Sequence, residues 1–158
     1  MLEKWEQVAK QGMLRAYVVM ASGIIGFALL GKPFFKLIGS NAEFPEMNLW
    51  LLLGLAFFSH RYGAMHTQLY TTVNKVNSHI SDSISSVIMV STWFLFNKSL
   101  DVYVFPIGML ASWLGFYVWY AAYYSYKEIT SNPIRFEMKA VVFPFIFLLI
   151  FTTIMFGF

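Results

Sequence analysis

The residues of this chain best suited to chemistry lie in one stretch, Ser59-His60-Arg61-Tyr62-Gly63-Ala64-Met65-His66-Thr67-Gln68-Leu69-Tyr70-Thr71-Thr72-Val73-Asn74. It holds an arginine, two of the chain's three histidines, a glutamine and two tyrosines. It continues without a proline from the apolar run Leu49 to Phe58, so it reads as the second half of one membrane helix. Hydrocarbon makes polar groups costly, and a concentration of them inside a membrane helix is by default a functional site.

At about 100° per residue the polar groups divide into faces. Ser59, Tyr62, Gly63, His66, Tyr70 and Asn74 share one stripe, with Arg61, Gln68 and Thr72 near the opposite side and His60, Thr67 and Thr71 between. A helix polar on more than one face must be surrounded by protein or line a water-filled cavity. Taken singly, each residue has a structural reading. Arg61 snorkels to headgroups about two turns away, the tyrosines anchor at the interface, and His66 bonds a serine of the next span. The cluster as a whole points to a site for a polar, anionic group. Arginine offers a planar, permanently charged fork for phosphate or carboxylate. Tyrosine and histidine stack on sugar rings and bond hydroxyls. A sugar–pyrophosphate headgroup uses both. The candidate binding residues are Arg61 for the diphosphate or an acidic sugar, and His66, Tyr70 and Asn74 for sugar or helix-packing hydrogen bonds. Tyr62 is a further candidate.

Other chemistry finds little footing. The chain has no cysteine, which excludes thiolate metal sites and cysteine nucleophiles. His60, His66 and His79 show no metal-ligand spacing with a carboxylate, and there is no HExxH. A His66–Asp82 contact between adjacent spans is conceivable, but a triad also needs a positioned serine and an oxyanion hole. No catalytic residue, metal or cofactor is expected, and the chain reads as a non-enzyme.

The elements that position this stretch follow from composition. Of 158 residues, 58% are hydrophobic and 12% charged, where a soluble domain carries about a quarter charged residues. This is the profile of an integral membrane protein. A net charge of +3 is too small for a nucleic-acid surface. The first 15 residues carry acids and lack an apolar core, unlike a signal peptide. A span needs roughly 20 residues. The expected architecture is one all-α domain over 1–158, a polytopic membrane helix bundle of about five spans, at 14–30, 47–70, 80–96, 102–123 and 138–158. Residues 1–13 are expected to form an amphipathic surface segment. Pro33 is expected to end the first span, leaving Phe34 to Ile38 as a short interfacial piece. Four-apart small pairs, Ser22/Gly26, Gly108/Ser112 and Ala111/Gly115, are candidate close-packing faces. With the N-terminus inside, the inner segments hold seven Lys and Arg (Lys4, Lys10, Arg15, Lys75, Lys127, Arg135, Lys139) and the outer ones three (Lys32, Lys36, Lys98). That bias favours a cytoplasmic N-terminus and an external C-terminus.

Two segments carry a resemblance. Gly31-Lys32-Pro33-Phe34-Phe35-Lys36-Leu37-Ile38-Gly39-Ser40, followed by Phe44 and a new span, resembles polysaccharide flippases, where proline opens a short apolar piece closed by a turn. His60 to Asn74 resembles the next helix of O-antigen translocases, with its His-Gly-Ala-hydrophobic-His and Tyr-x-Thr-x-Asn pattern, although Arg61 and Tyr62 separate His60 from Gly63. These belong to the multidrug/oligosaccharidyl-lipid/polysaccharide exporter superfamily. The resemblance implies an inner-membrane flippase moving an undecaprenyl-diphosphate-linked oligosaccharide outward by alternating access. Full members have about 12 to 14 spans in two lobes rocking around a central site. This chain would correspond to the tail of the second lobe, as a truncated or split product or with a partner chain supplying the missing spans. The expected partners are membrane lipid and a lipid-linked oligosaccharide, with no nucleic acid. Two alternatives stand beside it: a small membrane enzyme of the glutathione-transferase-like eicosanoid family, and a structural membrane subunit. The first lacks that family's run of Arg, His, Asn and Glu on one helix, since no Glu accompanies His66 and Asn74.

Overall fold

The computed structural model describes residues 2–73, 78–130 and 132–156, with side chains from Lys4 onward. Among these residues the chain is all-α. Helix α1 spans Leu2–Leu37. Surface segment, first span and interfacial piece, expected as three parts, form one helix. The reason lies in its buried face. Met13, Tyr17, Ala21, Ile24 and Ala28 recur every three or four residues and pack as one unbroken ridge. In the first turns Lys10 pairs with Glu6 at 2.7 Å, one turn apart. Pro33 lies on the exposed side of the last turns, where its missing bond is tolerated. The helix ends instead at Gly39, whose φ of 65° lets Ser40 N–H reach back to the Phe35 carbonyl and Gly39 N–H to that of Lys36. This pairing is the glycine stop that satisfies the last carbonyls.

Helix α2, Met47–Thr71, is the centre of the bundle. It packs on α1, on α4 (Val104–Ser112), on α5 (Val118–Ile129) and on α7 (Val142–Phe156). The Trp50 indole donates to the Ile24 carbonyl at 2.8 Å, pinning α2 to α1. Helix α3, Ser78–Leu100, lies at the edge and packs chiefly on α4. Between α3 and α4 the chain reverses at Asp101, which takes a left-handed φ of 48° ahead of a 3-10 turn, Asp101–Tyr103. Asp is among the few residues that accept that conformation. In the same turn the exposed Tyr103 hydroxyl donates to Glu46 at 3.1 Å, and this bond raises its pKa above the ordinary tyrosine value. The antiparallel arms are held by Ser112 Oγ, which donates to the Ser85 carbonyl at 2.6 Å, and by Trp93 lying over Gly108. Of the small pairs read from the sequence, Gly108/Ser112 is used in packing, whereas a Cβ at Gly26 or Gly115 would meet open space.

The Ser112 bond is buried and crosses two elements. Ser112→Ala is therefore expected to cost about 1 kcal/mol of unfolding free energy in detergent. Ser83→Ala, on the exposed side of α3, should leave it unchanged.

A π-helical turn, Trp113–Tyr117, joins α4 to α5. Helix α6, Pro133–Ala140, opens on the Asn132 cap, whose Oδ1 accepts from Arg135 N–H at 3.0 Å. Helices α6 and α7 meet at a 55° bend. Pro144 accounts for it: proline has no N–H for the Ala140 carbonyl, and its ring crowds that carbonyl.

Two helical stretches, Lys4–Leu37 and Ser78–Ile129, are long and apolar enough to cross a membrane, and the bent α6–α7 pair makes a third if it is one span. That is fewer than the five spans expected. Helix α2 misses the required apolarity because of its polar inner half, from Ser59 through Gln68. The expected third and fourth spans together fall within the single stretch Ser78–Ile129, which doubles back at Asp101.

Candidate functional site

The polar stripe on α2 faces the bundle. Ser59, Gly63, His66 and Tyr70 are all buried, as their spacing predicts. Their surroundings come from other helices. His66 is enclosed, with Tyr62 ahead of it (ring centroids 4.5 Å apart), Tyr126 of α5 edge-on at 5.3 Å and Phe136 of α6 at 6.2 Å. Its Nε2 lies 3.2 Å from Oε1 of Glu137. The approach is close but poorly aligned, since His66 Nε2 and Nδ1 both lack a well-formed hydrogen bond. Tyr126 OH donates to the same carboxylate oxygen at 2.8 Å and lies 3.0 Å from Tyr62 OH. Tyr17 of α1 closes the cluster, 6.3 Å from the Tyr62 ring and 5.4 Å from Phe58.

The carboxylate at His66 is thus Glu137 and not Asp82. Helix α6 was not expected as an element: Arg135 and Glu137 fell in the stretch before the last span. No periodicity connects them to α2, so Glu137 could not be found from the sequence. The signal present was a lone acid next to an aromatic in a short polar segment, which is common.

The stripe on α2 is surrounded by protein. Helices α1, α5, α6 and α7 of this chain cover it. His66 and Tyr70 are fully enclosed, and Tyr70 packs against Tyr124 at 5.9 Å. Tyr62 is half-buried and borders an apolar cavity of about 270 Å³ with Phe58, Trp119 and Phe145. Asn74 lies outside the described residues. Among the described candidates, Arg61 alone lies off the buried stripe of α2, half-buried, with Gln68 exposed two turns on. Arg61 makes no hydrogen bond or ion pair among the described residues, though its charge reaches His60 and Tyr17.

Beside Arg61 the structure brings together a second polar group. The His60 ring lies 4.6 Å from Trp113 and 5.6 Å from Tyr117, the latter nearly parallel at 15°. Both partners belong to the π turn, which widens the helix locally and re-aims its side chains; such turns recur at functional sites. Across from this platform α3 presents Asp82, Ser85 and Ser86, around a cavity of about 230 Å³. Asp82 lies within electrostatic reach of His60. Ser85 Oγ is buried and has no hydrogen-bond partner among the described residues. The cleft therefore offers an aromatic floor, a carboxylate and hydroxyls, and Arg61 follows His60 in the chain without lining it. Among the described residues no three His, Asp or Glu side chains cluster as a metal site would need. The chain matches no family model, no curated protein and no solved structure.

Proposed function

We propose that this chain is a multi-pass component of a bacterial inner-membrane translocase for lipid-linked oligosaccharide, and that the α2–α3 cleft takes the headgroup. The observation that carries this reading is Arg61, half-buried and without a hydrogen bond or ion pair among the described residues. An arginine within a membrane helix is costly unless an anion or water meets it. A diphosphate fits its fork in two-point geometry. The His60–Trp113–Tyr117 platform suits a sugar ring, and Asp82, Ser85 and Ser86 suit its hydroxyls. Tyr62, His66 and Tyr70 hold α2 in place behind this face, and Asn74 follows the end of the same helix.

In this reading the crossings are five: α1, α2, α3, α4 with α5, and α6 with α7. The excess of Lys and Arg on the side of the N-terminus puts that end in the cytoplasm. The outer face of α3, with Phe94 78% and Leu95 74% exposed, meets lipid or a partner chain that supplies further spans. Alternating access needs two lobes around one site. No bond is made or broken, so the role is transport and not catalysis.

Arg61→Ala tests this. Losing a charged hydrogen bond of about 1.5–3 kcal/mol should weaken binding of undecaprenyl diphosphate by the purified protein roughly tenfold or more. Surface-polysaccharide display in a complemented strain should fall with it. Unchanged binding and display, at normal membrane levels of the variant, would mean that Arg61 is an anchor only.

A further inference from the structure

A second polar cavity, of about 580 Å³, lies away from the cleft between the first turns of α1 and helix α6. Its lining includes Lys10, Arg135 and Lys139, with the side-chain amides of Gln7, Gln11 and Asn132. The single carboxylate there, Glu6, is paired with Lys10 at 2.7 Å. Arg135 and Lys139 stand one turn apart on α6, and neither side chain has an ion-pair or hydrogen-bond partner among the described residues. Asn132 spends its carbonyl oxygen on the α6 cap, which leaves its NH₂ to donate. The groove thus presents two uncompensated positive charges and a surplus of donors.

The geometry points to a phosphate site here, and its depth in the structure points to the phosphodiester of an anionic phospholipid. Helix α1 has 36 residues, about 54 Å at 1.5 Å per residue, against a hydrocarbon core of about 30 Å. Its polar first turns therefore stand at headgroup level. The bend at Val141 swings α6 by 55° away from the apolar α7. Helix α6 turns Phe136 and Ala140 inward and leaves Ile134 78% and Met138 59% exposed. Apolar residues on one side and cations on another suit the bent first part of the α6–α7 crossing to headgroup level, where it meets the membrane interface. Leu14 closes the groove on the α1 side, where an acyl chain leaving the headgroup would begin. Each Lys or Arg at an anionic surface contributes about 1 kcal/mol. The site shares no residue with the α2–α3 cleft and does not depend on the transport reading.

Native mass spectrometry of the purified full chain tests it, with dioleoylphosphatidylglycerol and dioleoylphosphatidylcholine offered in equal amounts. Phosphatidylglycerol should be retained preferentially. Arg135→Gln with Lys139→Gln should lower its retention roughly fivefold per charge removed, towards the level of phosphatidylcholine. Glu6→Gln frees Lys10 and should raise it, which keeps the test decisive if the double variant does not fold. Excess inorganic phosphate should leave the lipid in place. Equal retention of the two lipids, or indifference to all of these charge changes, would overturn the site. Displacement of the lipid by inorganic phosphate would overturn its assignment to phospholipid and leave a free-anion site.

Discussion

Glu137→Leu is expected to destabilise the bundle by about 2 kcal/mol, within the range for leaving buried polar groups without their acceptor. Glu137 is the acceptor at which α2, α5 and α6 meet: Tyr126 donates to it at 2.8 Å, and His66 approaches at 3.2 Å. Without it the enclosed His66 has no acceptor near either ring nitrogen, and Tyr126 keeps only Tyr62. His66→Leu should also destabilise, because it leaves a mostly buried carboxylate with the tyrosine alone. The decisive measurement is the double variant. Removing both polar partners leaves neither one orphaned, which can be close to neutral. His66→Leu with Glu137→Leu should therefore lose less stability than the sum of the singles, by about 1–3 kcal/mol. Chemical unfolding in detergent measures all three. Strict additivity would mean that the two side chains do not share one network.

Gly63→Leu should be nearly as damaging, by the opposite mechanism. A Cβ at Gly63 would run into the ring of Tyr117, which is buried and stacked against His60. That ring cannot swing away cheaply, because it is buried in the π turn, which packs against both α2 and α3. Overpacking of this kind costs about 1–3 kcal/mol. The same substitution should spoil the cleft, since Tyr117 forms its floor. Gly63→Ala should show a smaller loss of both thermal stability and undecaprenyl-diphosphate binding. Gly115→Ala is the matched comparison: it lies in the adjoining π turn, a Cβ there would meet open space, and its effect should stay within about 0.5 kcal/mol. If Gly63→Leu unfolds no more readily than Gly115→Ala, the close approach of α2 to Tyr117 is not what holds these helices.

Parts of the site were legible from local pattern. Periodicity places Ser59, Tyr62, Gly63, His66, Tyr70 and Asn74 on one face; Ser59, Gly63, His66 and Tyr70 are buried, Tyr62 is half-buried, and Asn74 lies outside the described residues. Gln68 was placed opposite, and it is exposed. Helical periodicity depends only on the turn of the backbone, so the sequence carries it. The burial was legible, but the partners were not. Sequence order allows a His66–Asp82 contact between adjacent helices, yet α6 bends at Val141 and delivers Glu137 to His66 instead. Asp82 faces His60, because α3 packs on α4 and the π turn more than on α2.

Composition and spacing thus determined an all-α chain with helices apolar enough to cross a membrane, a polar second helix, and which side of that helix turns inward. The tertiary structure decided that α1 is unbroken, that Ser78–Ile129 doubles back at Asp101, and that the polar stripe is packed shut. It also decided that the described part of the Ser59–Asn74 stretch serves two places: an enclosed His66–Glu137–Tyr126 network, and an open cleft to which α2 contributes His60. Both outcomes depend on which distant helices meet, and a turn or a bend of one residue is enough to change that.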